Sequence, residues 1–326
     1  MEVTGSPVLP AEIAVLREAV AEGVVDPRSG IFGASSISWK VNRESALFLG
    51  AGRAALLQLA HPWVAAALDQ HSNLRNDPLA RFHNTFRVVF TMIFGTLEQA
   101  LAASRYLYQL HTRIEGRLPE RAGAFERGSH YQANEIEALR WVYATLAESA
   151  VLAYETVLPP LSLAEKEAYY AESKTLASLF GIPFSALPAD WAAFEAYNRE
   201  MLASGTLGVN ALSREMAYRV LHGRGSWVPV PRWYRGLTAV WMPEPLREAF
   251  ALPFGAAERS AAARARSWLP RVYRALPRSL RYVGPYQEAC ARLRGTQAGP
   301  VTLASNRFWM GQTRMLFARH DGESET

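Results

Sequence analysis

Apolar residues recur at three- and four-residue spacing along most of the chain, the periodicity that lets a helix bury one face. The pattern predicts a short amphipathic helix over residues 10–22, a turn at Asp26-Pro27-Arg28-Ser29-Gly30, and a helical run over 36–60 interrupted at Gly50-Ala-Gly52. His61-Pro62 marks a boundary, because the residue before proline is pushed out of the α region while proline suits the first turn of the next helix. Asn76-Asp77-Pro78 reads as the start of a helix to Phe94, with Leu79, Phe82, Phe86, Val89, Phe90 and Ile93 as its apolar positions. The next helix runs from Leu97 toward Gly116, a natural stop. After a loop over 116–128, helices are predicted at 134–154, 161–180, 188–203, 209–221, 243–250, 256–275 and 286–294, the second of these opened by the capping box Ser162-x-x-Glu165. Residues 223–231, with Trp227-Val-Pro-Val-Pro, read as a connector, and the residues after 295 as an irregular tail. No internal repeat and no strand pair is discerned. The fold class is therefore all-α, as a single large helical domain over 37–295, preceded by an N-terminal helix and connector (1–36) and followed by the tail (296–326).

With 326 residues, 49% apolar and 20% charged, the chain can bury a sizeable core, and no apolar run approaches the roughly 20 residues that span a bilayer. The first residues lack a basic region followed by an apolar one, so a cytoplasmic setting is expected. One cysteine, Cys290, permits neither an internal disulfide nor a multi-cysteine metal site. The net charge of +5 is carried almost wholly by arginine, densest from Arg259 to Arg281 among Trp268, Val272 and Leu280. That segment reads as a solvated basic helix face; peripheral contact with an anionic membrane is the alternative, and no nucleic-acid motif accompanies it.

Chemistry enters with His111. Leu97, Leu101, Ser104, Leu107, Tyr108, His111 and Ile114 share one helix face, so an imidazole points where a core leucine is expected. A buried imidazole needs a partner, either a hydrogen bond or a metal. On the preceding helix, Arg81 and Thr85 stack at i, i+4 with Asn84 adjacent, a polar cluster for a pocket or a solvated face. Arg53 lies on a mainly apolar segment and needs an anion if buried: a propionate, a carboxylate or water. His61 reads as a helix C-terminal cap. Tyr143 falls with Leu139, Leu146, Ala147 and Ala150, a face of small residues that accommodates something flat or a close helix contact.

Other chemistries fall away. Gly50-x-Gly52-x-x-Ala55 loosely fits a dinucleotide fingerprint, but no strand–turn–helix–strand unit surrounds it, and the bland reading is two small residues allowing close packing. No His has a carboxylate three residues before it, so the Glu-x-x-His pairs of di-iron bundles are missing, as are His-Glu-x-x-His, Gly-x-Ser-x-Gly and a Gly-Lys-Ser/Thr phosphate loop. A lone imidazole on an apolar helix face and an Arg/Thr pair in an aromatic-rich helical chain suit haem, which needs one protein ligand, an apolar slot and cations for its propionates.

The ordered motifs Trp39-Lys-Val-x-Arg43-Glu44-x-Ala46-Leu47-x-Leu49-Gly50, Gly52-Arg53-x-x-Leu56-Leu-Gln58-Leu-Ala-His61-Pro62, Arg81-x-x-x-Thr85, Phe94-Gly95, His111-x-x-Ile-x-Gly116, Tyr131-x-Ala133, Trp141-Val-x-Ala144-Thr145-Leu146, Leu161-Ser162-x-x-Glu165-x-x-x-Tyr169-Tyr170 and Leu187-Pro188 resemble those of the MpaB and latex-clearing-protein (rubber oxygenase) group of haem-dependent oxygenases. The resemblance spans residues 37–295. It implies an all-α fold with a globin-like core around haem b (iron protoporphyrin IX), and the use of dioxygen. By position, His111 matches the proximal iron ligand, Arg81 and Thr85 the polar pair of the distal region, and Arg53 and His61 residues typical of shorter members, with Arg53 meeting a propionate.

Three positions depart from the family pattern. Asn84 stands where rubber oxygenases have a distal lysine, Tyr143 where many members have histidine, and Glu115 where an arginine often follows the ligand. The expectation is a haem b oxygenase in which His111 ligates iron and Arg81, Thr85, Asn84 and Tyr143 tune reaction of dioxygen with an apolar substrate, by C=C cleavage, hydroxylation or desaturation. The alternative is a haem-binding sensor or carrier without turnover.

Overall fold

Helices claim the chain wherever apolar residues recur at helical spacing, and the computed structural model describes residues 6–72, 78–223 and 230–315. Within these, α1 (Pro10–Glu22), α2 (Ile37–Asn42), α3 (Ala51–Leu59), α4 (Pro62–His71), α5 (Pro78–Phe94) and α6 (Leu97–His111) precede a two-stranded antiparallel sheet of β1 (Glu115–Arg117) and β2 (His130–Gln132). There follow α7 (Ile136–Val157), α8 (Leu163–Leu179), α9 (Trp191–Ala203), α10 (Ala211–His222), α11 (Arg232–Trp241), α12 (Glu244–Ala249), α13 (Ala256–Ala275), α14 (Arg278–Arg281), α15 (Gly284–Leu293) and α16 (Pro300–Met310). The fold is all-α, and among the described residues no helix is long and apolar enough to cross a membrane.

Four differences from the sequence expectation stand out. β1 and β2 pair Glu115 with Gln132 and Arg117 with His130, so the chain does hold a strand pair. Gly116 is not a helix stop but a strand residue, packed so that a Cβ there would lie 2.6 Å from the Tyr131 hydroxyl. The tail is not irregular as far as it is described, because Pro300 opens α16, whose Trp309 stacks on Phe48 at 3.7 Å. α11, unassigned in the periodicity, is a real helix against α13 and α3. Asn76 and Asp77, read as a helix start, and Trp227 of the connector lie outside the described residues.

The core is organised on α7, whose buried side includes Trp141, Tyr143, Ala144, Ala147, Val151 and Tyr154. Gly50 sits against it so closely that a Cβ would fall 2.5 Å from the Ser149 carbonyl oxygen, and at Gly52 a Cβ would meet Thr238 Oγ1 at 2.9 Å. The Gly-x-Gly segment thus serves helix packing. Arg53 on the same segment finds its anion within the protein: Nη2 donates to Glu148 Oε2 (2.6 Å), Nη1 to Ser149 Oγ (2.9 Å) and Nε to the Trp241 carbonyl (3.2 Å). The Glu148 carboxylate is thus its anionic partner within the protein.

Glu44 closes the chain on itself. Its carboxylate, 1% exposed, accepts from Arg281 Nε (2.8 Å) and Nη2 (3.1 Å), from the Tyr273 hydroxyl (2.9 Å) and from Arg43 Nε (3.3 Å). Removing one partner of a buried charged network leaves the others uncompensated. Glu44→Ala is therefore expected to cost about 3 kcal/mol of unfolding free energy, measured by the shift in urea midpoint at unchanged slope.

Candidate functional site

α5 and α6 form a helical hairpin, and its geometry makes the site. The turn between them is short: a Cβ at Gly95 would lie 2.4 Å from the Thr91 carbonyl oxygen, and Thr96 and Gln99 form a capping box that starts α6 at once. The Trp39 indole fastens this end by donating to the Ile93 carbonyl at 2.9 Å. Antiparallel helices bring together residues equally far from the turn, and Arg81 and His111 are such a pair.

The two side chains sense each other in a dry setting. Burial, with the Arg81 charge as second cause, drives the His111 imidazole down to about 4, while interaction with the Asn134 side chain opposes this. His111 is therefore neutral at physiological pH. Its Nδ1 is buried without a hydrogen-bond partner, and so is Asn134 Oδ1 beside it. Burial also lowers Arg81, yet a guanidinium keeps its proton, so the site holds a fixed cation. Arg81 forms no ion pair among the described residues. The Thr85 hydroxyl donates to the Arg81 carbonyl at 3.0 Å, fastening the turn from which the guanidinium projects. Next to Arg81, the Phe82 and Phe86 rings lie 4.6 Å apart at a tilt and meet Phe48 at 5.4 and 4.6 Å, an aromatic wall along α5.

Other expected site residues lie elsewhere. Asn84 is exposed and accepts from Arg87 Nη2 at 2.8 Å, so it occupies the outer face of α5. Tyr143 is buried near the other end of α5, in a small cavity of about 40 Å³ shared with Val89, Ile93 and Phe180. Its hydroxyl donates to the Ser173 carbonyl, and burial raises its pKa well above the phenol range, so it is poorly placed to give up a proton. Arg53 is spent on Glu148 and Ser149. His61, 2% exposed, stands at the N-terminal cap position of α4 without a side-chain cap hydrogen bond, Ala60 being the C-cap of α3, and its ring centroid lies 5.5 Å from that of Phe125 and 6.2 Å from that of Trp63. Its Nδ1 is also unpartnered, and burial lowers it to about 4.

Two residues were missed in the sequence. Asn134 reaches His111 because the helix begins at Ile136, leaving Asn134 in the turn ahead of it and Glu135 as the extended N-cap. Glu135, 3% exposed, is raised to about 7, chiefly by burial and secondarily by Glu137. The N-terminal segment holds this lead-in, with Val8 N donating to the Asn134 carbonyl (2.9 Å) and Ile136 N to the Ser6 carbonyl (3.2 Å). The Asn-Glu pair ahead of an apolar periodic run was the available signal, since such residues commonly precede helices rather than start them.

Among the described residues no group of three or more His, Cys, Asp or Glu could hold a metal ion. A cofactor needing one imidazole is a different matter: the orphaned His111 Nδ1 is the feature such a group would satisfy, with the Arg81 cation beside it. For His61 the pH sign is plain. Between pH 6.5 and 4 the unfolded imidazole takes a proton that the native one refuses, so stability falls as pH falls. His61→Phe is expected to flatten that decline by up to about 1.4 kcal/mol per pH unit, read from denaturant midpoints at pH 7, 6 and 5.

Residues 39–280 match the model described as ER-bound oxygenase mpaB/B'/Rubber oxygenase, catalytic domain. No curated protein and no solved structure matched. The matched span takes in the Arg81–His111 hairpin, Glu44 and α7, and on that match the chain belongs to the mpaB/rubber oxygenase catalytic-domain family of oxygenases.

Proposed function

We propose that this oxygenase is haem b-dependent, that His111 is the iron ligand, and that dioxygen and an apolar substrate react in a cytoplasmic setting. The observation that carries the reading is the imidazole at the open end of the α5–α6 hairpin, held neutral by burial and by Arg81, with a buried nitrogen lacking a partner. Iron binds neutral imidazole, so a ring that resists protonation down to about pH 4 is a ligand ready to bind. Haem, when bound, supplies the redox chemistry that activates dioxygen.

The protein's own groups then have separate tasks. Asn134 beside the ring orients it and selects its tautomer, as outer partners of ligating histidines do. Arg81 offers a fixed charge and several N–H donors to negative charge that builds up as oxygen is reduced, and in a dry site this charge is little screened. Thr85 keeps the Arg81 turn in place. Phe82, Phe86 and Phe48 exclude water and give an apolar substrate a surface. Tyr143 and Asn84 shape α5 from its far end and outer face.

Two variants test the reading. After reconstitution with hemin, His111→Ala is expected to lose the Soret band and the pyridine hemochrome signal, while His61→Ala keeps them; a normal spectrum in His111→Ala rejects the ligand assignment. Arg81→Met is expected to retain haem and to lose about 100-fold or more in oxygen uptake with an isoprenoid olefin, the scale of removing an oxyanion donor. Full haem loading with no uptake on any olefinic or reducing substrate would favour a sensor or carrier.

A further inference from the structure

The largest cavity among those described, about 670 Å³, lies between α10, α11 and the segment that joins α12 to α13. None of its lining residues belongs to α5 or α6, so it is distinct from the Arg81–His111 site. The volume falls within the range of small-molecule sites, roughly 300–1,000 Å³. Its floor is apolar: Leu221, Ala239 and Phe250 are buried, and Leu252 and Pro253 form a wall.

The rim is cationic after its internal pairs are taken out. Glu258 receives the Arg232 fork at 2.8 and 3.2 Å, and Glu215 receives Arg219 at 2.8 and 3.1 Å. Arg214 Nε bonds only a carbonyl, that of Ala249, at 3.0 Å. Arg235, partly buried on the wall, makes no side-chain hydrogen bond or ion pair among the described residues. Among the described residues, two lining arginines, Arg214 and Arg235, thus have no carboxylate within ion-pair distance. Beside them the Tyr218 and His222 rings stack at 4.0 Å, with His222 Nδ1 2.9 Å from the Tyr218 carbonyl oxygen.

The backbone is bent to make this wall. Ala251 has φ of 51°, a left-handed conformation that costs any residue with a Cβ and that helix ends normally assign to glycine. Leu252 N donates back to the Arg247 carbonyl (3.0 Å) and Ala251 N to that of Glu248 (2.8 Å), closing α12 and turning Leu252 and Pro253 toward the cavity. Strain of this kind concentrates at binding sites.

We infer that this cavity binds an amphiphilic organic monoanion, its apolar body against Leu221, Phe250 and Leu252 and its carboxylate or phosphate head on Arg235 and Arg214. The test is isothermal calorimetry below micellar concentrations with three ten-carbon probes: decanoate, decyl phosphate and neutral 1-decanol. At least one anion should bind the wild-type protein more tightly than decanol. Arg235→Glu should weaken that anion about 10- to 100-fold, the worth of a charge-assisted hydrogen bond, with decanol unchanged. Arg214→Gln should weaken it in the same direction, and Arg81→Gln should leave it unaltered. Melting temperatures of the variants establish that each is folded. The two anions separate carboxylate from phosphate selectivity, and either preference supports the assignment. Absence of binding, equal binding of decanol and the anions, or loss in Arg81→Gln in place of Arg235→Glu would overturn it. The measurement needs no bound cofactor, so its outcome is independent of the role of His111.

Discussion

A guanidinium held beside an imidazole in a poorly solvated space is the interaction on which the site rests. In water the two groups would barely influence each other; here burial removes screening, and the charge on Arg81 reinforces what desolvation already does to His111. The result is a pair with opposite habits: one group keeps its proton and the other refuses one. The imidazole keeps a buried Nδ1 without a hydrogen-bond partner and Arg81 forms no ion pair among the described residues, the condition of groups able to bind something else.

Holding that pair in place is a matter of packing. The α5–α6 hairpin fixes it from below through a turn too tight for a side chain at Gly95, with Trp39 bonded to the last turn of α5. α7 packs on α3 and on residues 45–50, and its close approach to the latter depends on Gly50 having no Cβ. Glu44, tied to Tyr273, Arg281 and Arg43, joins the start of the family-matching region to its end. The N-terminal segment contributes too, because Val8 and Ser6 pair with the stretch carrying Asn134 and Glu135, and Tyr108 on α6 donates to the Val8 carbonyl at 3.0 Å.

The molecule therefore presents two chemically different groupings of side chains on separate elements, and the second of them lines a cavity. One couples an apolar aromatic wall to a cation and a neutral imidazole. The other pairs an apolar floor with surplus arginine charge and a strained bend at Ala251. Their separation means that polar recognition of one molecule and oxidative chemistry on another need not compete for the same residues.

How much of this was legible in the chain follows from the range of the forces involved. Helix hydrogen bonds join residues four apart, so the periodicity around Phe82, Phe86 and Phe90, the capping box at Ser162 and the break at His61-Pro62 each carried their own signal. The sequence by itself determined an all-α chain with His111 on an inward helix face and Arg81 one hairpin arm away. Only the tertiary structure decided what the buried polar groups touch. Arg53 looked equally ready for a propionate or a carboxylate until Glu148 and Ser149 arrived from α7, and Tyr143 looked like a donor near a cofactor until its proton met the Ser173 carbonyl. The three-residue strands β1 and β2, too short for any period, exist only because the loop between them folds back, and Asn134 reaches His111 only through that same return. Such partners lie tens of residues away in the chain, where local propensity carries no information about them.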